Sequence, residues 1–432
     1  GRARVGGQAI WATDFEEETV SSESGGGGKG GLAGGGSAST AAVTSVEYRY
    51  FANFAIALAE GTISGLGRVW ADGRELDLSA VTYRLYTGSE TQAPDSLIVA
   101  RQGADAAPAY RGVAYVVFER LALADYGNRL PQLSFEVFRA LDDLRSQVRG
   151  VVMIPGSGEF VYATEAVSRL GFGGESLPEN THTRQAATDW AASLEQLETA
   201  LPNARSVSLV VSWFGTDLRA GFCEIKPGVE RTAKATEPLE WSVAGVGRPS
   251  AYVVSQRDGR PAYGGTPSDQ TVVAAIRDLK ARGIAVTLTP FVLMDIPDGN
   301  ARPDPYTGGG AQPAYPWRGR ITVDPAPGLP GTPDKTAAAA SQLAPLIGTA
   351  NASHFAITGN GVSYAGPSEW SLRRQVLHYA HLAIAAGGVD AFVIGTELRG
   401  LSWVRSAAAA YPFVDALVQL AADVKSVLGP ST

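Results

Sequence analysis

The sequence predicts a chain of two kinds of structure. A β-rich module covers residues 46–145, and an α/β region over 184–432 has the pattern of about the first half of an eight-stranded (β/α) barrel. Three observations predict this. Apolar residues alternate with a period of two early in the chain, a helix-then-strand unit recurs three times later, and the strands of that unit are apolar on both faces, as in a parallel sheet covered by helices. A length of 432 residues with 45% hydrophobic content supplies cores for two or three domains.

Charge and composition narrow the partners. Lys and Arg number 36 against 43 Asp and Glu, a net of -7 without a concentrated basic stripe, so specific nucleic-acid binding and anionic membrane surfaces have no electrostatic support. Cys223 is the one cysteine, which excludes an internal disulfide. The histidines are His182, His354, His378 and His381, with no zinc motif. His378 and His381 fall three apart on a predicted helix, where a solvated face is the simpler reading, and neither a metal nor a cofactor is predicted. No apolar run approaches the roughly 18 residues of a membrane span. The start, Gly1-Arg-Ala-Arg-Val-Gly-Gly-Gln8, is neither a signal peptide nor a Met start, and Gly429-Pro-Ser-Thr432 falls where a strand is due. Both ends are therefore expected to be those of a piece of a longer chain.

Residues 1–45 read as an extended segment containing a Gly/Ser-rich stretch, Ser21 to Ser45, whose lack of large apolar groups predicts a mobile loop. Lys29 lies among its glycines, but no strand precedes it and no Ser or Thr follows it, so it is not a phosphate loop. From Val46 to Leu58 the even positions are apolar, the period of a half-buried strand. Gly67-Arg-Val-Trp-Ala leads into Asp72-Gly73, a tight hairpin signal, with Arg74 to Leu78 returning. Thr82–Tyr86, Gly112–Phe118 and Leu133–Phe138 are further strands, and 146–183 reads as a connecting segment.

After about Thr183 the period changes. Trp190, Leu194, Leu197 and Leu201 mark a helix closed by Pro202, before the apolar strand Ser206–Trp213. A second strand is expected near Tyr252–Ser255. Val272, Ile276 and Leu279 mark a helix before the strand Ile284–Val292, and Leu372, Val376, Tyr379 and Ala383 mark another before Val389–Thr396. Phe413, Leu417, Leu420, Val424 and Val427 form the last stripe. Four strands make half a barrel, whose open parallel edge would need covering.

Chemistry in such a barrel gathers at the carboxyl ends of the strands. Glu397, in Phe392-Val-Ile-Gly-Thr-Glu-Leu398, is placed where a glycosidase keeps its acid, and a carboxyl at the mouth of an apolar strand is expected to be poorly hydrated. The simpler alternative is a loop anchor paired with Arg399. Glycoside hydrolysis needs a second carboxylate, about 5 Å away for retention or about 6.5–9.5 Å for inversion. Asp295 is the candidate on a neighbouring strand, with loop capping as its alternative. Trp213, Phe214 and Trp403 offer flat faces for sugar rings, or packing. The long connection Ile296–Asp334, rich in proline and carrying Gly308-Gly-Gly310, would shape a cleft if it covered the rim. No Gly-x-Ser-x-Gly elbow supports a serine hydrolase.

At these residues the chain resembles a known family, the large baseplate hub protein of gene transfer agents and related siphophage tails. In that family tail-hub β domains are fused to a glycoside-hydrolase-like TIM barrel. Gly1-Arg-Ala-Arg-Val-Gly-Gly-Gln-Ala-Ile-Trp11, Ala59-Glu-Gly-Thr-Ile-Ser-Gly-Leu-Gly-Arg-Val-Trp-Ala-Asp-Gly73 and Tyr110-Arg-Gly-Val-Ala-Tyr115 through Leu130-Pro-Gln-Leu-Ser-Phe-Glu136 are similar to tail-tip host-specificity proteins. Ser206-Val-Ser-Leu-Val-Val-Ser-Trp-Phe-Gly215 and Gly395-Thr-Glu-Leu398 are similar to the barrel module.

The resemblance implies a tail-hub module over 46–145, a partial TIM barrel over 184–432, and a place in the tail baseplate of a virion made in the bacterial cytoplasm. It also implies assembly as a homotrimer with distal tail and hub proteins, and contact with a cell-surface glycan. Two alternatives stay open: an active glycoside hydrolase acting on surface polysaccharide or peptidoglycan, and a glycan-binding barrel without turnover. In glycosidase barrels of this type the acid/base Glu ends strand four, commonly after Asn. Thr396 takes that place here, and the nucleophile would end strand seven.

Overall fold

The computed structural model describes residues 1–24, 43–140, 144–154, 156–430 and 432. Lys29 and most of the Gly/Ser-rich stretch, 25–42, lie outside these residues. The described parts of the expected loop are strand instead, because Glu16–Ser24 pairs antiparallel with Val43–Phe51, Ser24 opposite Val43. The chain divides into two compact units. The first comprises Gly1–Gln147, Thr183–Ala186 and Leu194–Pro202, and the second Val148–His182, Ala187–Ser193 and Asn203–Thr432.

The first unit holds two antiparallel sheets. One orders Gln8–Ala12, Val43–Glu60, Val113–Ala122 and Thr82–Thr87, with Glu16–Ser24 also on the long strand. The other orders Arg2–Gly6, Leu133–Phe138, Gly65–Ala71 and Arg74–Glu75. The even residues Ala52, Phe54, Ile56 and Leu58 enter a core with Val69, Phe118 and Phe135, drawn from both sheets. Period-two alternation thus located the core face. It did not locate where burial stops, since Val46 and Tyr48 on the same face are exposed. Nor is the odd face left to water: Ala55 packs with Ile98 of the helix Ser96–Gln102 and with Tyr115 and Val117.

Asp72 and Gly73 both have positive φ, at 49° and 82°, as the hairpin signal required. The return strand is Arg74–Glu75 alone, because Asp77 caps a 3-10 turn at Leu78–Ala80. Asn53 is buried opposite a bulge in Val113–Ala122, where its side chain accepts from the Arg120 amide and donates to Glu16.

The second unit is built on parallel strands in chain order: Gly150–Met153, Ser206–Gly215, Ala285–Met294 and Ala391–Phe392. Three strand expectations change here. Tyr252–Val253 is not in this sheet but pairs with Gly228–Val229, and Gly150–Met153, in the segment read as connecting, takes a place beside Ser206–Leu209. The short run at 150–153 has no helix stripe before it, so the recurring pattern could not mark it. The fourth strand is also far shorter than Val389–Thr396. In the register Leu288 opposite Phe392, with the Val393 amide donating to the Leu288 carbonyl, the next donor toward this strand is residue 290. That residue is Pro290, which has no N–H, so the ladder stops. The helices Asp269–Ala281, Leu372–Ala385 and Pro412–Leu428 bury the stripes expected of them, through Val272, Ile276, Leu279, Val376, Phe413 and Leu420 among others.

Candidate functional site

Three carboxylates follow the carboxyl ends of successive parallel strands: Asp217 after Ser206–Gly215, Asp295 after Ala285–Met294, and Glu397 after Ala391–Phe392. Their surroundings differ sharply. Asp217 is buried and accepts from the Arg219 guanidinium at 2.8 and 3.0 Å and from Gln312 at 2.7 Å. Burial alone would raise its pKa, but Arg219 and Gln312 outweigh that and hold it below the usual carboxyl range.

Asp295 is fully buried. Its Oδ2 accepts from the Tyr252 hydroxyl and the Ser255 amide, each at 2.7 Å, and its Oδ1 accepts from the Ser255 hydroxyl. Burial and the adjacent carboxylate push the Tyr252 phenol up. These bonds explain why 252–255 leaves the main sheet: the segment is tied to Asp295 instead. The arrangement is that of a loop anchor, with both oxygens engaged.

Glu397 is the accessible one. Its side chain is 54% exposed, so the expected poor hydration is not what the structure places there. The ladder ends at the Val393 amide, residues 393–396 are half-buried, and Glu397 is exposed with a left-handed φ of 59°. Its Oε2 accepts from the indole N–H of Trp317 at 2.6 Å and lies 3.1 Å from the guanidinium of Arg318. No bond to Oε1 is found among the described residues. Arg318 is itself buried, lies 3.5 Å over the ring of Phe291, and donates to the backbone and hydroxyl oxygens of Thr396, each at 3.1 Å. Burial lowers the Arg318 pKa, with Glu397 opposing. Arg399, expected to anchor Glu397, instead stacks on Trp403 at 4.3 Å, and Trp403 keeps 60% of its surface exposed.

The other two aromatic candidates are core residues. Trp213 and Phe214 are fully buried. Trp213 donates to the Tyr379 hydroxyl at 3.1 Å and packs on Trp370 and His378, while Phe214 packs on Tyr252 and Tyr263. Neither presents a face to a ligand. A strand apolar on both sides buries both neighbours, which period alone does not distinguish from a rim position.

Trp317 and Arg318 were not found from the sequence. The signal available was Tyr315-Pro-Trp-Arg-Gly-Arg320, two large aromatics and two arginines in a connection that a purely solvated loop has no reason to carry. As to cations, Glu159, Glu179 and Glu230 converge, but the ammonium of Lys234 lies 2.6, 2.7 and 3.0 Å from them and fills that role. His378 and His381 are engaged separately, with Asp269 at 2.9 Å and with the Leu377 carbonyl at 2.8 Å.

Comparison with known proteins bears on the region around Glu397. No curated protein matches the chain. A chain from a solved structure, "Virion of native gene transfer agent (GTA) particle", is 42% identical over a stretch covering 37% of this chain and 31% of that one, with a TM-score of 0.27. Residues 370–432, which carry the helix Leu372–Ala385, the fourth parallel strand and Glu397, match the family described as the GTA TIM-barrel-like domain.

Proposed function

We propose that this chain is a structural component of a gene-transfer-agent-like particle, serving as a baseplate hub at the tail tip. The observation that carries this reading is the match of residues 370–432 to the GTA TIM-barrel-like domain. The β-rich unit is suited to assembly with neighbouring tail proteins and with further copies in a trimer, and the parallel α/β unit is read as part of a barrel that faces the cell envelope. Its rim, with the exposed Glu397 carboxylate bonded to the half-exposed indole of Trp317 and with Trp403 exposed further along the chain, is suited to a cell-surface glycan.

The geometry favours binding over hydrolysis among these residues, because Asp217 and Asp295, the carboxylates on the two preceding strands, are closed by their own donors. Purified particles are expected to contain the chain in fixed proportion to the other tail proteins, with gold-labelled antibody at one end of the tail. Finding it only in the soluble fraction, and never on particles, would refute the proposal.

A further inference from the structure

We infer that Trp317 is a positioning residue for Glu397: backed against Gly319, it fixes one carboxylate oxygen so that the other receives a hydroxyl of a bound sugar. The inference rests on the glycan reading of the rim proposed above. The position of Trp317 is built by glycines that the sequence gives no other reason to place. A Cβ at Gly319 would come within 2.4 Å of the Trp317 ring, so only glycine lets the indole fold back over its own chain toward Glu397. A Cβ at Gly400 would lie 2.4 Å from the Ile321 carbonyl oxygen and 2.8 Å from that of Gly319. The two segments can therefore touch backbone to backbone, and Thr322 closes the contact by donating to the Gly400 carbonyl at 3.0 Å.

This clasp surrounds a residue held in a conformation L side chains rarely adopt, the left-handed Glu397. Its chemistry is specific. The Trp317 indole donates to Oε2 and the Arg318 guanidinium pairs with the same oxygen, which leaves the lone pairs of Oε1 for an incoming donor. A sugar hydroxyl is such a donor, and the exposed indole surface of Trp317 and the open face of Trp403 fit the C–H face of a pyranose ring. Arg399 already covers one side of Trp403, which orients the other toward a ligand.

The test uses the whole chain labelled with nitrogen-15 at tryptophan. The Trp317 indole resonance is identified by its loss in Trp317→Phe. Glu397→Gln should move that resonance, and Gly319→Ala should move it too, while Trp213 and Trp241 in the core stay in place and report an intact fold. A Trp317 resonance indifferent to both substitutions overturns the positioning role. In a second arm, the wild type is applied to a printed panel of bacterial cell-wall and capsular oligosaccharides, and the strongest binder is titrated. Trp317→Phe and Gly319→Ala should each weaken it by about tenfold, the loss of a charge-assisted hydrogen bond. Full affinity in both variants overturns the inference. A wild type that binds none of the panel overturns the glycan reading and the sugar half of the inference with it, while the resonances still decide whether Trp317 holds Glu397.

Discussion

The ends of the third and fourth parallel strands carry the same chemical group to opposite fates. Asp295 is sealed by Tyr252 and Ser255, and Glu397 stands in solvent with one oxygen held and one open. Position at a strand end is common to both, so position does not make a site. What separates them is how the following chain leaves the sheet. After Met294 the chain is tied to the neighbouring Gly215 carbonyl through the Asp295 amide, whereas the fourth strand, deprived of a donor by Pro290, stops at Val393 and the chain after it leaves Glu397 exposed.

The sharpest way to break this comparison is to remove each carboxylate in turn. Asp295→Ala leaves the half-buried Tyr252 hydroxyl and the Ser255 amide without their acceptor, with only the Tyr315 hydroxyl still 3.2 Å from that of Ser255, and should destabilise the second unit by about 3 kcal/mol in urea or thermal unfolding. Glu397→Gln, at an exposed ion pair, should change it by less than about 1 kcal/mol. Equal losses would mean that both residues are anchors.

Acid should sharpen the contrast at a third place, the buried cluster of Glu159. Burial alone would raise the Glu159 carboxyl, but Arg248 and Lys234 outweigh it and hold it below its ordinary value. A carboxyl depressed in the folded state stabilises above the unfolded pKa, and the contribution is lost as pH falls through the folded value. Burial would likewise lower Lys234, but Glu159 and Glu179 raise it, so its contribution is present below its ordinary pKa and is lost as pH rises through the raised one. Stability of the second unit should therefore fall below about pH 4, and Glu159→Gln should flatten that limb of the profile. An unchanged acid limb in the variant would show that the cluster does not govern it.

A smaller effect tests the account of the fourth strand. Pro290→Val restores the donor that the Val393 carbonyl lacks, and should add up to about 1 kcal/mol of stability with a slowly exchanging amide at residue 290. A rapidly exchanging amide there would show that something other than the proline ends the ladder.

Much of the fold was legible because burial writes a period into the sequence. The alternation at 52–58, the Asp72-Gly73 turn and the helix stripes through Ile276 and Val376 all landed on core faces. Short strands without a period were not legible, as the exchange of 252–255 for 150–153 shows. Glu397 was singled out because a strand leads up to it, but its partners lie 80 and 79 residues back along the chain, in a connection whose course no local pattern dictates. For Trp213 and Phe214 the sequence left a sugar face and packing both open, and they pack: a strand buried on both sides has no rim signature until its last residue is fixed.

The central claim, that this chain is a structural part of the particle whose Glu397 serves contact and not assembly, is tested most directly by electron microscopy of purified particles. Three producer strains are compared: one with the wild-type chain, one with Glu397→Gln, and one lacking the chain. Complete tail tips are expected in the first two and absent from the third. Complete tips in particles that lack the chain would contradict the account.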